Sequence, residues 1–117
     1  LNRKKRIFNL YYQEIDQEFI SFQYTNAKNI NSFWMIPILI KTKNLASRLI
    51  DHLRICNIDS RPLFFPVTQM PVFKSKINYP VSNLLNKYGL YLPSFPDLTD
   101  AEVIKIAQSI NLFFKAN

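Results

Sequence analysis

One glycine among 117 residues rules out several chemistries at once. A phosphate-cradling loop or a dinucleotide fingerprint needs two or more glycines at fixed spacing, and Gly89 stands alone. The single cysteine, Cys56, excludes an internal disulfide and any cysteine-based zinc site. It falls in an apolar helical pattern, which predicts a buried structural thiol. The single histidine, His52, has Asp51 and Arg54 as helix neighbours. A triad or metal site needs partners at a recognised spacing, so His52 is expected to be an exposed helical residue and no metal is expected. No apolar run reaches the ~18 residues that a bilayer span needs; Phe33 to Ile40 is short and holds Pro37. No apolar segment with a small-residue cleavage site follows the basic start, so no signal peptide or membrane partner is expected and a cytoplasmic location is the default. Acidic residues are scarce too, with 8 Asp and Glu against 15 Lys and Arg and a formal charge of +7. No nucleic-acid motif accompanies that charge, so no nucleic-acid partner is expected. An anionic small molecule suits a positive surface as well. The cluster Arg3-Lys4-Lys5-Arg6 reads as a solvated helix face.

What is present is ordinary for a globular domain: 48% hydrophobic and 20% charged residues. A chain this long fits one domain over 1–117 with its own core. Ile7, Leu10, Tyr11 and Ile15 recur at helical spacing and predict a helix from Arg3 to Glu18. Its basic start opposes the helix macrodipole, and the chain opens on Leu1 already in helical pattern; both read as a piece of something longer. Phe19 to Asn31 reads as an irregular extended segment ending in a loop over 26–31. Ser32 to Lys41 reads as a strand in which Pro37 requires an edge or a bulge. Asn44 is placed to cap a helix carrying Leu45, Leu49, Leu53 and Cys56, and Asn57 to end it in the left-handed conformation. Ile58 to Phe64 reads as a second strand, with Pro62 again arguing for an edge. Phe65 to Tyr79 reads as a long ordered loop held by Met70 and Phe73. Val81 to Tyr88 predicts a short helix with Leu84, Leu85 and Tyr88 inward and Gly89 as its left-handed stop. Tyr91-Leu92 is a short strand. Thr99 and Glu102 form a capping box for a last helix whose inner stripe is Ala101, Ile104, Ala107, Ile110 and Phe114. Asp97 and Asp100 suit that helix start rather than acid–base work. The expected class is α+β: a small, mainly antiparallel sheet covered by helices.

The runs Ile58-Asp59-Ser60-Arg61-Pro62-Leu63-Phe64-Phe65-Pro66, Gln69-Met70-Pro71-Val72-Phe73 and Gly89 to Leu98 together resemble the C-terminal small domain of the DegT/DnrJ/EryC1/StrS family of pyridoxal-phosphate-dependent sugar aminotransferases. Within it the resemblance is strongest to the perosamine synthases. Asn2 to Ile7 and Ser32-Phe33-Trp34-Met35 extend it over nearly the whole chain. Two positions depart from the pattern: Asn57, where the family usually has glycine, and Thr68, where perosamine-synthase-like sequences often have histidine.

The resemblance implies the small domain of a fold type I aminotransferase acting on nucleotide-linked 4-keto-6-deoxy sugars, with glutamate as amino donor, a homodimeric intact enzyme and a role in surface polysaccharide. It places the cofactor lysine, the aspartate facing the pyridine nitrogen and the phosphate ligands in the large domain. Pyridoxal phosphate is therefore expected in the intact enzyme and not on this chain alone, and no catalytic residue is assigned here. Arg61 is the first candidate substrate residue, since a guanidinium grips phosphate or carboxylate in a fork; the alternative is a structural ion pair with Asp59 or a helix carboxylate. Phe64, Phe65 and Gln69 are the other candidates to line the cleft. Phe65 shares with Phe64 the alternative of core packing, and Trp34 reads as core or an interface anchor. A different reading is a free-standing, degenerate domain acting as a binding or assembly module through Phe8, Tyr12 and Phe19.

Overall fold

The computed structural model describes residues 1–26, 28–42, 44–74 and 76–117. Of the loops expected over 26–31 and 65–79, residues 27 and 75 therefore lie outside the described residues. Eight elements follow in chain order: α1 (Asn2–Glu14), β1 (Ile20–Phe22), β2 (Ile36–Ile40), α2 (Ala46–Ile55), β3 (Arg61–Pro62), α3 (Pro80–Tyr88), β4 (Gly89–Leu92) and α4 (Asp100–Lys115). Two short 3-10 turns, Val67–Gln69 and Pro71–Phe73, lie between β3 and α3. The four strands form one sheet in the order β1-β2-β4-β3, antiparallel throughout. The α+β class is as the sequence predicts.

The alternating pleat explains which face is covered. Ile36, Ile38 and Ile40 on β2 and Leu90 and Leu92 on β4 are buried, and Ile20 joins them from β1. They meet Ile7, Tyr11 and Ile15 of α1, Leu49 and Leu53 of α2, and Val103, Ile106, Ala107, Ile110, Phe113 and Phe114 of α4 in one core. The intervening residues Pro37, Leu39 and Tyr91 are only half-buried. They face α3, whose Leu85 shares a hollow with all three.

Several elements differ from the sequence expectation. The first helix stops at Glu14, and the segment after it pairs: Ile20, Ser21 and Phe22 face Ile40, Leu39 and Ile38. A three-residue strand flanked by polar residues carries too little period to announce itself; β2 supplies the missing partner. Pro37 lies in an inner strand, not an edge strand. Its partner is Tyr91 on β4, and β1 ends at the residue opposite Ile38. Pro37 therefore sits just past the end of β1, where a missing donor costs no pairing. β3 shrinks to two residues and is the sheet edge, as Pro62 requires. Asn44 does not cap α2 with its side chain; Leu45 is the N-cap residue, and Asn44 takes the left-handed conformation (φ 63°) in the turn before it.

Asn57 behaves as expected, with φ 58°. Asn57 N–H donates to the Arg54 carbonyl (3.0 Å) and Ile58 N–H to the Leu53 carbonyl (2.8 Å). That pair of bonds closes the helix end as a Schellman motif, with Ile58 and Leu53 both buried beside it. Gly89 does not use positive φ; it is extended at φ −106°. Its need is space. A Cβ there would run into the Leu63 side chain and lie 2.6 Å from the Leu85 carbonyl oxygen.

The capping box forms, with Glu102 N–H donating to Thr99 Oγ1 (3.2 Å) and Thr99 N–H to the Glu102 carboxylate (2.7 Å). Of the expected inner stripe of α4, Ala107, Ile110 and Phe114 are buried, whereas Ala101 is exposed and Ile104 half-buried; Val103, Ile106 and Phe113 complete the buried face. Leu84 and Leu85 of α3 are not buried as expected; they are 45% and 41% exposed, with Leu85 on the hollow against the sheet. Phe73 is exposed as well and holds nothing, whereas Met70 is half-buried.

The basic cluster is a solvated face only in part: Lys5 and Arg6 are exposed, whereas Arg3 and Lys4 are half-buried. Asp100, in the first turn of α4, accepts from Arg3 Nη1 (2.5 Å) and from Arg6 Nε (2.8 Å). Arg3 also donates to the Pro96 and Leu98 carbonyls. Lys4 donates to the carbonyls of Trp34 and Ser94. The start of α1 is thus clasped to the start of α4. Hydrogen bonds from Arg6, then Arg3, hold the Asp100 carboxyl down at about 2, from its ordinary 3.8. A carboxyl depressed on folding contributes stability that is complete above its unfolded pKa and lost as pH falls through the folded one. The gap in melting temperature between the native chain and Asp100→Asn should therefore be widest near neutral pH. It should narrow from 3.8 down to about 2 and close below that; a gap constant with pH would exclude the clasp as its source.

His52 is half-buried rather than exposed. Its Nε2 lies 3.1 Å from Ser109 Oγ, and its ring is 5.4 Å from Phe113, joining α2 to α4. Cys56 is half-buried, not fully buried, and no group of three metal-ligating side chains exists among the described residues.

Candidate functional site

The candidate site lies where the chain leaves the sheet edge. β3 pairs Arg61 with Tyr91 and Pro62 with Leu90. Leu63 then keeps one more bond to β4, its N–H donating to the Gly89 carbonyl (3.2 Å). Beyond it the chain turns away and leaves a hollow of ≈ 580 Å³ lined among others by Met35, Asp59, Arg61, Phe64, Asn86 and Tyr91. Phe65 lines it too and is 51% exposed, so the alternative of core packing does not occur.

Arg61, Phe64 and Phe65, three of the four candidate residues, therefore come together. Arg61 is 77% exposed, and its Nε and Nη2 both donate to Asp59 Oδ2 at 3.3 Å. The structure thus contains the ion pair that the sequence offered as the alternative role. Its exposure makes it weak, since exposed pairs contribute about 0–1 kcal/mol, and a fork held this loosely is available to a better anion. Phe64 is 64% exposed and rests against the Tyr91 ring (centroids 5.3 Å, 60° between planes). Gln69 is not part of the hollow. It sits in the first 3-10 turn, and its side-chain amide donates to Asn83 Oδ1 of α3 at 2.5 Å.

Tyr91 and Asn86 are the residues that sequence reading missed. The signal for Tyr91 is the β4 alternation, which sends it to the face opposite Leu90 and Leu92. Trp34 is not core: it is 71% exposed, on a second shallow hollow with Lys4 and Phe95. Of the proposed partner surface, Phe8 packs in a ring cluster with Tyr12, Phe22 and Phe33, and Phe19 stacks on Phe114 at 5.1 Å. Tyr12 alone of the three is substantially exposed, at 48%.

The geometry suits binding. A guanidinium at one rim, a carboxylate beside it and two aromatic rings suit a ligand with both an anionic group and a flat or ring-shaped part. A pyridoxal cofactor asks for a lysine amine, an acid at the pyridine nitrogen and a phosphate cradle. Among the described residues no lysine lines this hollow. Lys41 borders a different one and donates to the Gln17 carbonyl at 2.7 Å. The residues present do not fit that group.

Residues 1–111 match the model of the DegT/DnrJ/EryC1/StrS aminotransferase family. The chain belongs to that family. A GDP-perosamine synthase of Escherichia coli O157:H7 is 33% identical over 115 residues, covering 97% of this chain and 31% of the relative. The chain thus spans about a third of that relative's length. Among solved structures, the aminotransferase TlmJ of Streptoalloteichus hindustanus superposes with a TM-score of 0.88 at 14% identity, over 98% of this chain and 32% of that one. The sugar aminotransferase Spr1654 of Streptococcus pneumoniae, solved in its PLP form, superposes at 0.86 with 19% identity, over 98% of this chain and 31% of that one. The DegT/DnrJ/EryC1/StrS fold therefore covers the elements described above from end to end. No helix among the described residues is long and apolar enough to cross a membrane.

Proposed function

We propose that this chain is the C-terminal small domain of a pyridoxal-phosphate-dependent aminotransferase of a nucleotide-linked 4-keto-6-deoxy sugar, perosamine-synthase-like and cytoplasmic. The observation that carries this reading is the 33% identity to a GDP-perosamine synthase across 97% of the chain. The hollow gives it a physical role. Arg61 exchanges Asp59 for an anionic group of the nucleotide sugar, and Phe64 against Tyr91 offers ring surface to the same ligand. Gln69 steadies the loop rather than touching substrate. Lysine chemistry and cofactor binding belong to the large domain, glutamate supplies the amino group, and the intact enzyme is a homodimer. The named relative is a synthase, which favours this over a free-standing binding module. The product is an amino sugar for surface polysaccharide.

Titration of the isotope-labelled chain with GDP tests the reading. Resonances of Arg61, Phe64 and Tyr91 should shift together. Arg61→Ala should weaken binding about tenfold or more, because a hydrogen bond to a charged group is worth roughly 1.5–3 kcal/mol. Mixing with pyridoxal phosphate should produce no new absorption that depends on one particular lysine. Shifts confined to another surface, or a lysine-specific band, would overturn the assignment.

A further inference from the structure

α3 poses a question that the core does not answer. None of Pro80–Tyr88 is buried, and Leu84 and Leu85 stand 45% and 41% exposed. Two of its polar side chains, in contrast, are engaged. Asn83 and Asn86 are three positions apart and share one helix face. Asn86 Nδ2 donates to the Leu63 carbonyl (3.0 Å) and to the Phe64 carbonyl (3.3 Å). Asn83 Oδ1 accepts from Gln69 Nε2 (2.5 Å), and its Nδ2 donates to Asn78 Oδ1 (3.2 Å). Both partners of Asn86 are carbonyls, which can only accept, so residue 86 must present a donor there. The loop that leaves β3 is therefore pinned twice to the same helix face.

We propose that α3 is a strut and that Asn86 is a positioning residue, fixing the Leu63–Phe64 backbone so that the Phe64 ring stays over the hollow. This rests on the substrate reading above for its purpose, though not for its geometry. Burial does not hold the ring, since Phe64 is 64% exposed. A mostly exposed side chain keeps one direction only where its backbone is fixed, and the carbonyls on either side of the Phe64 N–Cα–C unit are the two that Asn86 grips. With them held, the ring lies 5.3 Å from Tyr91. Freed, the same ring would sample solvent and present no ordered surface beside Arg61.

Asn86→Asp is the discriminating variant. It keeps the shape of the side chain, removes the donor and sets a carboxylate against two carbonyls. In the full chain it should abolish the Phe64–Tyr91 ring contact seen by nuclear Overhauser effect. It should weaken GDP binding about five- to tenfold, while amide-exchange protection in α2 and α4 stays native. Asn86→Gln, which retains the donor, should restore part of both signals. The proposal is overturned if Asn86→Asp leaves ring contact or GDP affinity unchanged. It is equally overturned if both are lost together with protection of α2 and α4, because Asn86 would then merely support the fold. Absence of any GDP-induced shift in the unmodified chain would count against the substrate reading alone, and the ring contact would then decide the strut by itself.

Discussion

Leu49→Ala should lower the free energy of unfolding by about 2–5 kcal/mol, the usual cost of emptying a fully buried leucine site. Leu49 is 0% exposed on the face of α2 that packs on the sheet and α4. Truncation removes the transfer free energy of its carbons and leaves a void that the strands cannot close, because the sheet is fixed by its ladder. A domain of this size has about 5–15 kcal/mol in all, so the loss is a large share. It should appear as a lower urea midpoint with an unchanged slope. The comparison that gives it meaning is Leu84→Ala. Leu84 is the same residue type in a helix of the same chain, but 45% exposed, and its removal should stay within about 0.5 kcal/mol. Equal costs at the two sites would show that α3 belongs to the core.

Gly89→Val should be the most damaging single change in the sheet, with Gly89→Ala already costing about 1–3 kcal/mol from overpacking. The backbone is not the obstacle, since φ −106° suits any residue. The obstacle is that β4 begins directly after α3, which brings the Leu85 carbonyl to 2.6 Å from where a Cβ would stand, with the Leu63 side chain closer still. The two neighbours differ in how they can yield. The Leu63 tip can rotate away, whereas the Leu85 carbonyl is held in the last turn of a helix. Leu63→Ala combined with Gly89→Ala should therefore recover part of the loss. A double-mutant cycle would show coupling between them, and strict additivity would place the clash elsewhere.

How far the sequence speaks depends on what each residue needs. The Thr99–Glu102 box and the left-handed Asn57 were legible because local geometry decides them. Pro62 at an edge was legible for the same reason: a missing donor can be read without knowing the partner. β1 was not, because three residues acquire strand character only from β2. On α4 the stripe held at Ala107, Ile110 and Phe114 but took Ile104 for Ile106, because the two look alike in a pattern and only packing against α1 and the sheet tells them apart. At the site, Arg61 and Phe64 stood out by type and neighbourhood. Gln69 looked equivalent, yet its amide is spent on Asn83. Asn86 had no signal at all, since a donor to backbone carbonyls is recognisable only when the carbonyls are in place. The basic cluster at 3–6 misled for a related reason, because its counter-charge, Asp100, lies 97 positions from Arg3 in the chain.

That separation bears on how the polypeptide comes to fold during synthesis. Of the elements described, α1 emerges before the others, and the α4 residues that pack on Ile7 and Tyr11 emerge after them. Tyr11 also waits for the Pro93 carbonyl, its acceptor at 3.0 Å. A topology that ties its first helix to its last cannot consolidate piecemeal. Until α4 has emerged, the α1 stripe lacks its α4 partners, a long window in which to meet a chaperone or another nascent chain.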